Sequence, residues 1–406
     1  MPEQATAMKA RPEFLDGRAP AGIEVYELAP QEERAVLVYP DRPAFLEGGR
    51  QMLLNTASGP QIVHLDEGGA LQPVRAMAPD AKRCHVAPGG RYLVYAADEA
   101  GEGRLVLRRL DVRTGEVEEV FAAEGTIADT PLPADKFVVQ AVSWDATRFA
   151  GTAYLGYGKQ RDAAFGITVL EAHSNRAAVV AAQPCLHNSH MQYCRQAEAP
   201  GTHDLMIQMN HGAVIDEHGK PEVAVGPPSS MGVDIHVVQD DGTNWRDLPF
   251  GRDGVESCIG HQVWRGQDRS GVTITFQNKD TSYGWAEGTR QDVVAGWPVE
   301  ADPDASHAGR TARDAHRVCL SEGFDEARFC HLGVDDSGLR FAFDTFPIFD
   351  GEHAGQLIYL GSAPDMRSPL AFRYILNTGV TFGGGAKGVH AHPILSPGGR
   401  ELFFNS

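Results

Sequence analysis

The sequence predicts an all-β fold, a seven-bladed β-propeller whose ring is closed by an N-terminal strand joining the C-terminal blade. Three observations predict it. Helical periodicity is poor almost everywhere, while short alternating or apolar runs bounded by Gly, Pro and Asp recur along the 406 residues. One grammar repeats seven times: a short strand, a Gly/Asp/Pro turn, then a second strand rich in apolar and aromatic residues. The spacing of these units, roughly 40 to 70 residues, lies at or above the usual blade period, the excess being loops.

In chain order the units fall at residues 43–57, 84–98, 141–155, 190–210, 261–278, 330–344 and 390–406. Further strand pairs lie between them. Residues 104–121 turn at Thr114-Gly115, and residues 233–248 turn at Asp241-Gly242. Two inner strands plus an outer pair make a four-stranded blade. Two β-sandwiches in tandem would explain the strands but not their repeated grammar. The seventh unit ends at Ser406, straight after its second strand, so an outer strand has to come from elsewhere. The alternating segment Gly22 to Leu28 is expected to supply it. Residues 1–21 are then an N-terminal extension and residues 22–406 a single propeller domain.

Composition narrows the function. A formal net charge of −18 disfavours nonspecific nucleic-acid binding, which depends on basic surface meeting phosphate. An anionic small ligand would need a local cluster of Arg, Lys or metal against that field. There is no long apolar run and no hydrophobic N-terminal block, so no membrane partner is expected and the default location is cytoplasmic. The six cysteines contain no Cys-x-x-Cys pair and are expected to be reduced and structural. A monomer or small homo-oligomer is expected.

The histidines carry the chemistry. In a propeller the first strand of each blade is innermost, and its starting end opens on the central funnel where ligands sit. His85, His190, His261, His331 and the pair His390/His392 all stand at or near that start, six of the sixteen histidines in the chain. Any one of them could merely cap a strand end, the simpler reading for His85, but convergence on one axis points to a metal or acid–base site. If the chain is extended there, His390 and His392 share a face and Ala391 points away, the geometry of neighbouring ligands. Imidazoles without a nearby thiolate suit Zn, Mn, Fe or Ni. One imidazole left outside the coordination sphere can act as a general base.

From about residue 184 onward the order of motifs resembles the oligogalacturonate lyases, seven-bladed propellers that cleave short pectic uronides by β-elimination. The matching pieces are Ser189-His190-Met191-Gln192-Tyr193, Asn210-His211-Gly212, residues 239–244, Glu256 through Trp264, Cys330-His331-Leu332, and Val389 through Pro393 ahead of Ser396-Pro397-Gly398-Gly399. Before residue 180 the similarity is loose and centres on Tyr39 to Leu54. The resemblance implies manganese ligands at His331, His390 and His392, a proton-abstracting base at His261, and an acidic oligosaccharide substrate. His190, His211, Arg265 and Lys387 are expected to touch that substrate. Two positions depart from the family pattern. Its glutamine ligand is Lys387 here, which when protonated cannot coordinate a metal, and a site-facing arginine is replaced by Asp234. These changes leave a second reading open, a noncatalytic sugar- or protein-binding propeller, and a third, a hydrolase or epimerase using the same metal.

Other motifs lack support. Gly383 through Gly388 has Gly, not Ser or Thr, after its Lys, unlike a phosphate loop. No nucleophile elbow, zincin or dinucleotide fingerprint occurs. Arg195, like Arg265, lies near a histidine position and could bind a carboxylate. His187 reads as structural or exposed.

Overall fold

The computed structural model describes the chain except residues 1–7, 29–34, 99–102, 129, 156–164, 199–201, 212–213, 216–220, 223–231, 252–255, 278–289, 301–315, 347–354 and 381–389. The described residues form a β-propeller with no α-helix, only short 3-10 turns. Six sheets of four or five strands follow one another along the chain, every strand pair antiparallel, and a two-stranded hairpin ends it. No helix among these residues is long and apolar enough to cross a membrane.

Within each sheet the strands run outward from the axis in chain order. The first contains Val36–Leu37, Gln51–Thr56, Gly59–His64 and Ala70–Pro73; the second runs from Ala81–Val86 to Val117–Glu124. The third spans Ala141–Val142 to Arg176–Gln183, and the fourth begins at Gln192–Tyr193 and adds Val299–Glu300 at its outer edge. In the fifth, Glu256–Cys258 and Val263–Trp264 share one edge of Gly271–Gln277. The sixth contains Phe329–Val334, Arg340–Thr345, Leu357–Ser362 and Ala371–Asn377. Both expected hairpin turns are present. Gly242 has φ +85°, and a Cβ there would lie 2.5 Å from the carbonyl oxygen of Val180, so the residue has to be glycine on two counts.

Blades cohere because the alternating apolar faces of neighbouring sheets interdigitate. Trp264 is fully buried and donates its Nε1–H to the carbonyl of Gln192, 3.1 Å away, tying the fifth sheet to the fourth. Burying a side chain of that size stabilises the fold by about 2 to 3 kcal/mol. One core cluster joins Leu37 and Phe45 of the first sheet to Ile394 and Phe403 of the C-terminal hairpin, with Phe45 and Phe403 5.5 Å apart. Leu37 also donates its backbone N–H to Asn405 Oδ1 at 3.0 Å.

The N-terminal segment behaves differently from expectation. Tyr26–Glu27 pairs with Lys9–Ala10 as a separate two-stranded sheet. Leu15, Ile23 and Val25 meet the C-terminal end through side chains, packing on a cluster that Leu402 and Phe404 also join. The two ends therefore touch by apolar contact where a shared ladder was expected.

Two histidines at the fourth sheet are each held between a pair of carboxylates. His236 is buried between Asp234 and Asp247, with its ring nitrogens 2.8 and 2.7 Å from their oxygens. Burial disfavours its charge, but the two carboxylates outweigh that and raise it to about 9. His203, between Asp145 and Asp240, is likewise raised to about 9 by its bonds to them. A raised imidazole stabilises the fold fully below its ordinary value of 6.5 and loses that contribution as pH rises through about 9. The melting temperature is expected to fall across this window, and to fall less steeply in His203→Gln; a melting temperature that does not change across it would contradict the assignment.

Candidate metal centre

Each histidine of the predicted group reaches the axis by a different local device. His331 lies in the inner strand Phe329–Val334, where a register shift between Phe329 and His331 turns its backbone N–H onto Asp344 of the neighbouring strand. His390 and His392 precede the short strand Ile394–Leu395. The pair does not lie on a regular strand as expected. His392 has φ +45°, a left-handed conformation costly for a side chain larger than glycine. Contacts on every side hold this segment: Ala391 N–H donates to Gln356 Oε1 at 2.8 Å, and Asn405 donates to the His390 carbonyl at 3.0 Å.

The result is a compact imidazole cluster. Ring centroids of His331 lie 5.1 Å from His390 and 4.4 Å from His392, and those of His390 and His392 are 5.2 Å apart. One nitrogen from each lies within 4.8 Å of the other two, a spacing that three ligands of one ion can close. Burial pushes all three downward, His392 to about 3, so they are held as neutral imidazoles, the form that coordinates metal. Asp344, fully buried, sits 3.0 Å from His331 Nδ1 and also accepts the His392 backbone N–H at 3.1 Å. That bond fixes the tautomer and leaves the Nε2 lone pair of His331 available for a metal.

His261 stacks on His331 at 4.3 Å without belonging to the triple. Its Nδ1 is 2.7 Å from the carbonyl of Cys330. A carbonyl only accepts, so Nδ1 carries the hydrogen and Nε2 keeps a free lone pair. Burial, together with His331, lowers His261 to about 3, which keeps the free ring neutral. Cys330 stands beside it, with its Sγ 3.9 Å from His331 Nε2, and His261, Cys330 and His331 form a second group of ligand atoms within 4.8 Å. Burial pushes the Cys330 thiol well up, so a protonated thiol and not a thiolate stands beside the imidazoles.

Tyr39 fills the centre. Its ring lies 5.3 Å from His190, 6.1 Å from His261, 5.9 Å from His331 and 4.8 Å from His392. His190, in turn, is 6.0 Å from His261 and places Nδ1 3.3 Å from Asp41. Sequence reasoning missed Tyr39, Asp41 and Asp344. Asp344 was within reach, since a count of register across the hairpin of the sixth unit sets it opposite His331. Asp41 had no local signal, because its partner lies 149 residues away.

The remaining predicted residues are either placed elsewhere or outside the described residues. Arg265 is corrected: its guanidinium is fully buried, donating to the carbonyls of Gly338 at 2.8 Å and Met366 at 2.7 Å, and so it joins blades and cannot grip substrate. His85 lines a cavity with Tyr39, Asp41, Arg42 and Arg195. Asp234, where the family has an arginine, is buried and engaged with His236. His211 pairs its backbone with Gly232, and its side chain, like all of Lys387, is outside the described residues.

No protein-family model matches the sequence, and no curated protein does. Among solved structures, the chain is similar to an oligogalacturonate lyase in complex with manganese, with a TM-score of 0.60 at 14% identity, covering 99% of this chain and 94% of that one. It is also similar to an oligogalacturonate lyase from Vibrio parahaemolyticus, with a TM-score of 0.64 at 12% identity and the same coverage. At these identities the likeness shows a shared β-propeller fold, and it agrees with the family resemblance carried by the motifs.

Proposed function

We propose that the protein is a metal-dependent lyase that cleaves uronic-acid-containing oligosaccharides, of the oligogalacturonate kind, by β-elimination. The observation that carries this reading is the stacking of His261, with a free Nε2, against a triple of neutral imidazoles of ligand spacing. His331, His390 and His392 would hold a divalent metal, manganese by resemblance, with Zn, Fe or Ni compatible with the same donors. When bound, the metal neutralises the uronate carboxylate and so acidifies the proton on C5. His261 takes that proton through Nε2, a step of the kind worth about 10²- to 10⁴-fold in rate. Tyr39 and the buried ring walls exclude water from the reacting carbon. His190, His211 and Lys387 are assigned to the substrate, and the reaction is placed in the cytoplasm. The scaffold is proposed as a ring of seven, with the C-terminal hairpin as the seventh blade and the N-terminal segment covering it.

A second reading, a noncatalytic carbohydrate- or protein-binding propeller, is favoured by one observation. Asp234 occupies the place of the family's arginine and is locked to His236, so no cation grips an acidic sugar there.

One assay separates the two. The protein is incubated with a panel of uronides, with and without chelator, and the ultraviolet absorbance of the unsaturated product is followed; absence of signal on every uronide with metal present excludes the lyase. His261→Ala is expected to abolish turnover and keep the metal content, and loss of metal in that variant would refute its role as base. His390→Ala and His392→Ala are expected to lower metal content. Asp344→Asn is expected to weaken metal affinity by about 10- to 100-fold, because the His331 ring loses its orienting carboxylate; unchanged affinity on titration would show that Asp344 has no such role.

A further inference from the structure

β-Elimination needs two proton transfers, and His261 accounts for one. We propose that His190, oriented by Asp41, is the proton donor to the departing glycosidic oxygen, an inference that rests on the lyase reading above. Four observations carry it. First, His190 faces His261 across the cluster at 6.0 Å, with the rings 67° apart, but is not part of the metal-ligand triple. Second, Nδ1 of His190 lies 3.3 Å from Asp41 Oδ2, whereas Nδ1 of His261 rests on a neutral backbone carbonyl. A carboxylate behind Nδ1 balances an imidazolium and leaves Nε2–H directed away from it, whereas a carbonyl supports a neutral base. Two imidazoles in one funnel thus have opposite supports, the pattern that separates an acid from a base.

Third, His190 is held in a left-handed backbone conformation, φ +41°. Such a conformation is costly for a residue with a side chain and persists only where its surroundings over-determine it. Here they do: the side-chain amides of Gln192 and Gln262 both donate to the His190 carbonyl, at 3.5 and 3.2 Å. Fourth, Asp41 is itself buried, 6% exposed, and comes from the first sheet while His190 comes from the fourth. Asp41, Tyr39 and His261 face His190, His331 lies within electrostatic reach of it, and Arg42 Nε lies 3.8 Å behind the Asp41 carboxylate.

The electron count closes. His261 Nε2 takes the C5 proton, the C–H pair becomes the C4=C5 double bond, and the C4–O bond breaks with its pair on oxygen. The Nε2 proton of His190 passes to that oxygen, which leaves as a hydroxyl. His261 ends protonated and His190 neutral, and exchange with water resets both.

Two substrates test the proposal: an oligogalacturonide, and a uronide bearing a 4-nitrophenyl ether at O4, whose phenolate departs without protonation. Exchange of the C5 proton in heavy water is read in parallel by nuclear magnetic resonance. His190→Ala is expected to lower kcat on the glycoside by about 10²- to 10⁴-fold, to recover most of that on the aryl ether, and to retain metal content and C5 exchange. His261→Ala is expected to lose turnover on both substrates and C5 exchange as well. Asp41→Asn, which leaves the imidazole in place, is expected to show the same leaving-group dependence in milder form with KM unchanged, and it decides the matter if His190→Ala does not fold. Equal losses on the two substrates, a rise in KM alone, or the leaving-group signature appearing in Tyr39→Phe instead would overturn the assignment. A wild-type protein that forms no unsaturated product from any uronide sinks the lyase reading and this proposal with it, whereas an active wild type with an unimpaired His190→Ala sinks this proposal alone.

Discussion

The site depends on one buried carboxylate. Asp344 accepts the backbone N–H of His331 at 2.7 Å, the ring Nδ1 of the same residue at 3.0 Å, and the backbone N–H of His392 at 3.1 Å. Residues from the sixth sheet and from the C-terminal segment are thereby fixed to a single group. Burial raises Asp344 to about 6, and the two backbone donors work against that rise. Without those donors a carboxylate at this depth would be costly to keep charged; with them, it sets the tautomer of one proposed ligand and the backbone of another.

Around that anchor the propeller does what a two-layer sandwich cannot: it brings the starts of separate inner strands to one axis. Tyr39 from the first sheet, His190 from the fourth, His261 from the fifth, His331 from the sixth and His392 from the C-terminal segment share one cluster, although 353 positions separate the first and last of these residues (392 − 39). Two of them, His190 and His392, are strained at positive φ. Strain in the residues that also carry the candidate chemistry is the expected pattern where surrounding contacts hold a reactive geometry against local preference.

Much of this was legible in the sequence, for physical reasons that also mark its limit. The strand–turn–strand grammar is a local signal, and so is the position of a histidine at the start of a strand, which is why His190, His261, His331, His390 and His392 could be placed together. Arg265 failed for a related reason. It follows Trp264 immediately, and spacing alone cannot tell a side chain that enters the funnel from one that runs between blades, where Arg265 is buried on two carbonyls. The pair His390 and His392 was placed correctly on the wrong backbone: alternation assumed an extended chain, whereas His392 is left-handed and contacts from Asp344, Gln356 and Asn405 determine the segment. Tyr39 and Asp41 lie in a stretch whose motif similarity is loose, and their partners are remote in the chain. The N-terminal strand was read from its alternation, which gives a pairing face but not a partner.

The central claim is that His331, His390 and His392 coordinate a divalent metal while His261 stays outside its coordination sphere. X-ray absorption spectroscopy of the manganese- or zinc-loaded protein measures this most directly. The account predicts three imidazole scatterers completed by oxygen. A fourth imidazole would place His261 on the metal and remove the base, and a sulfur scatterer would place Cys330 there; either result would contradict the account.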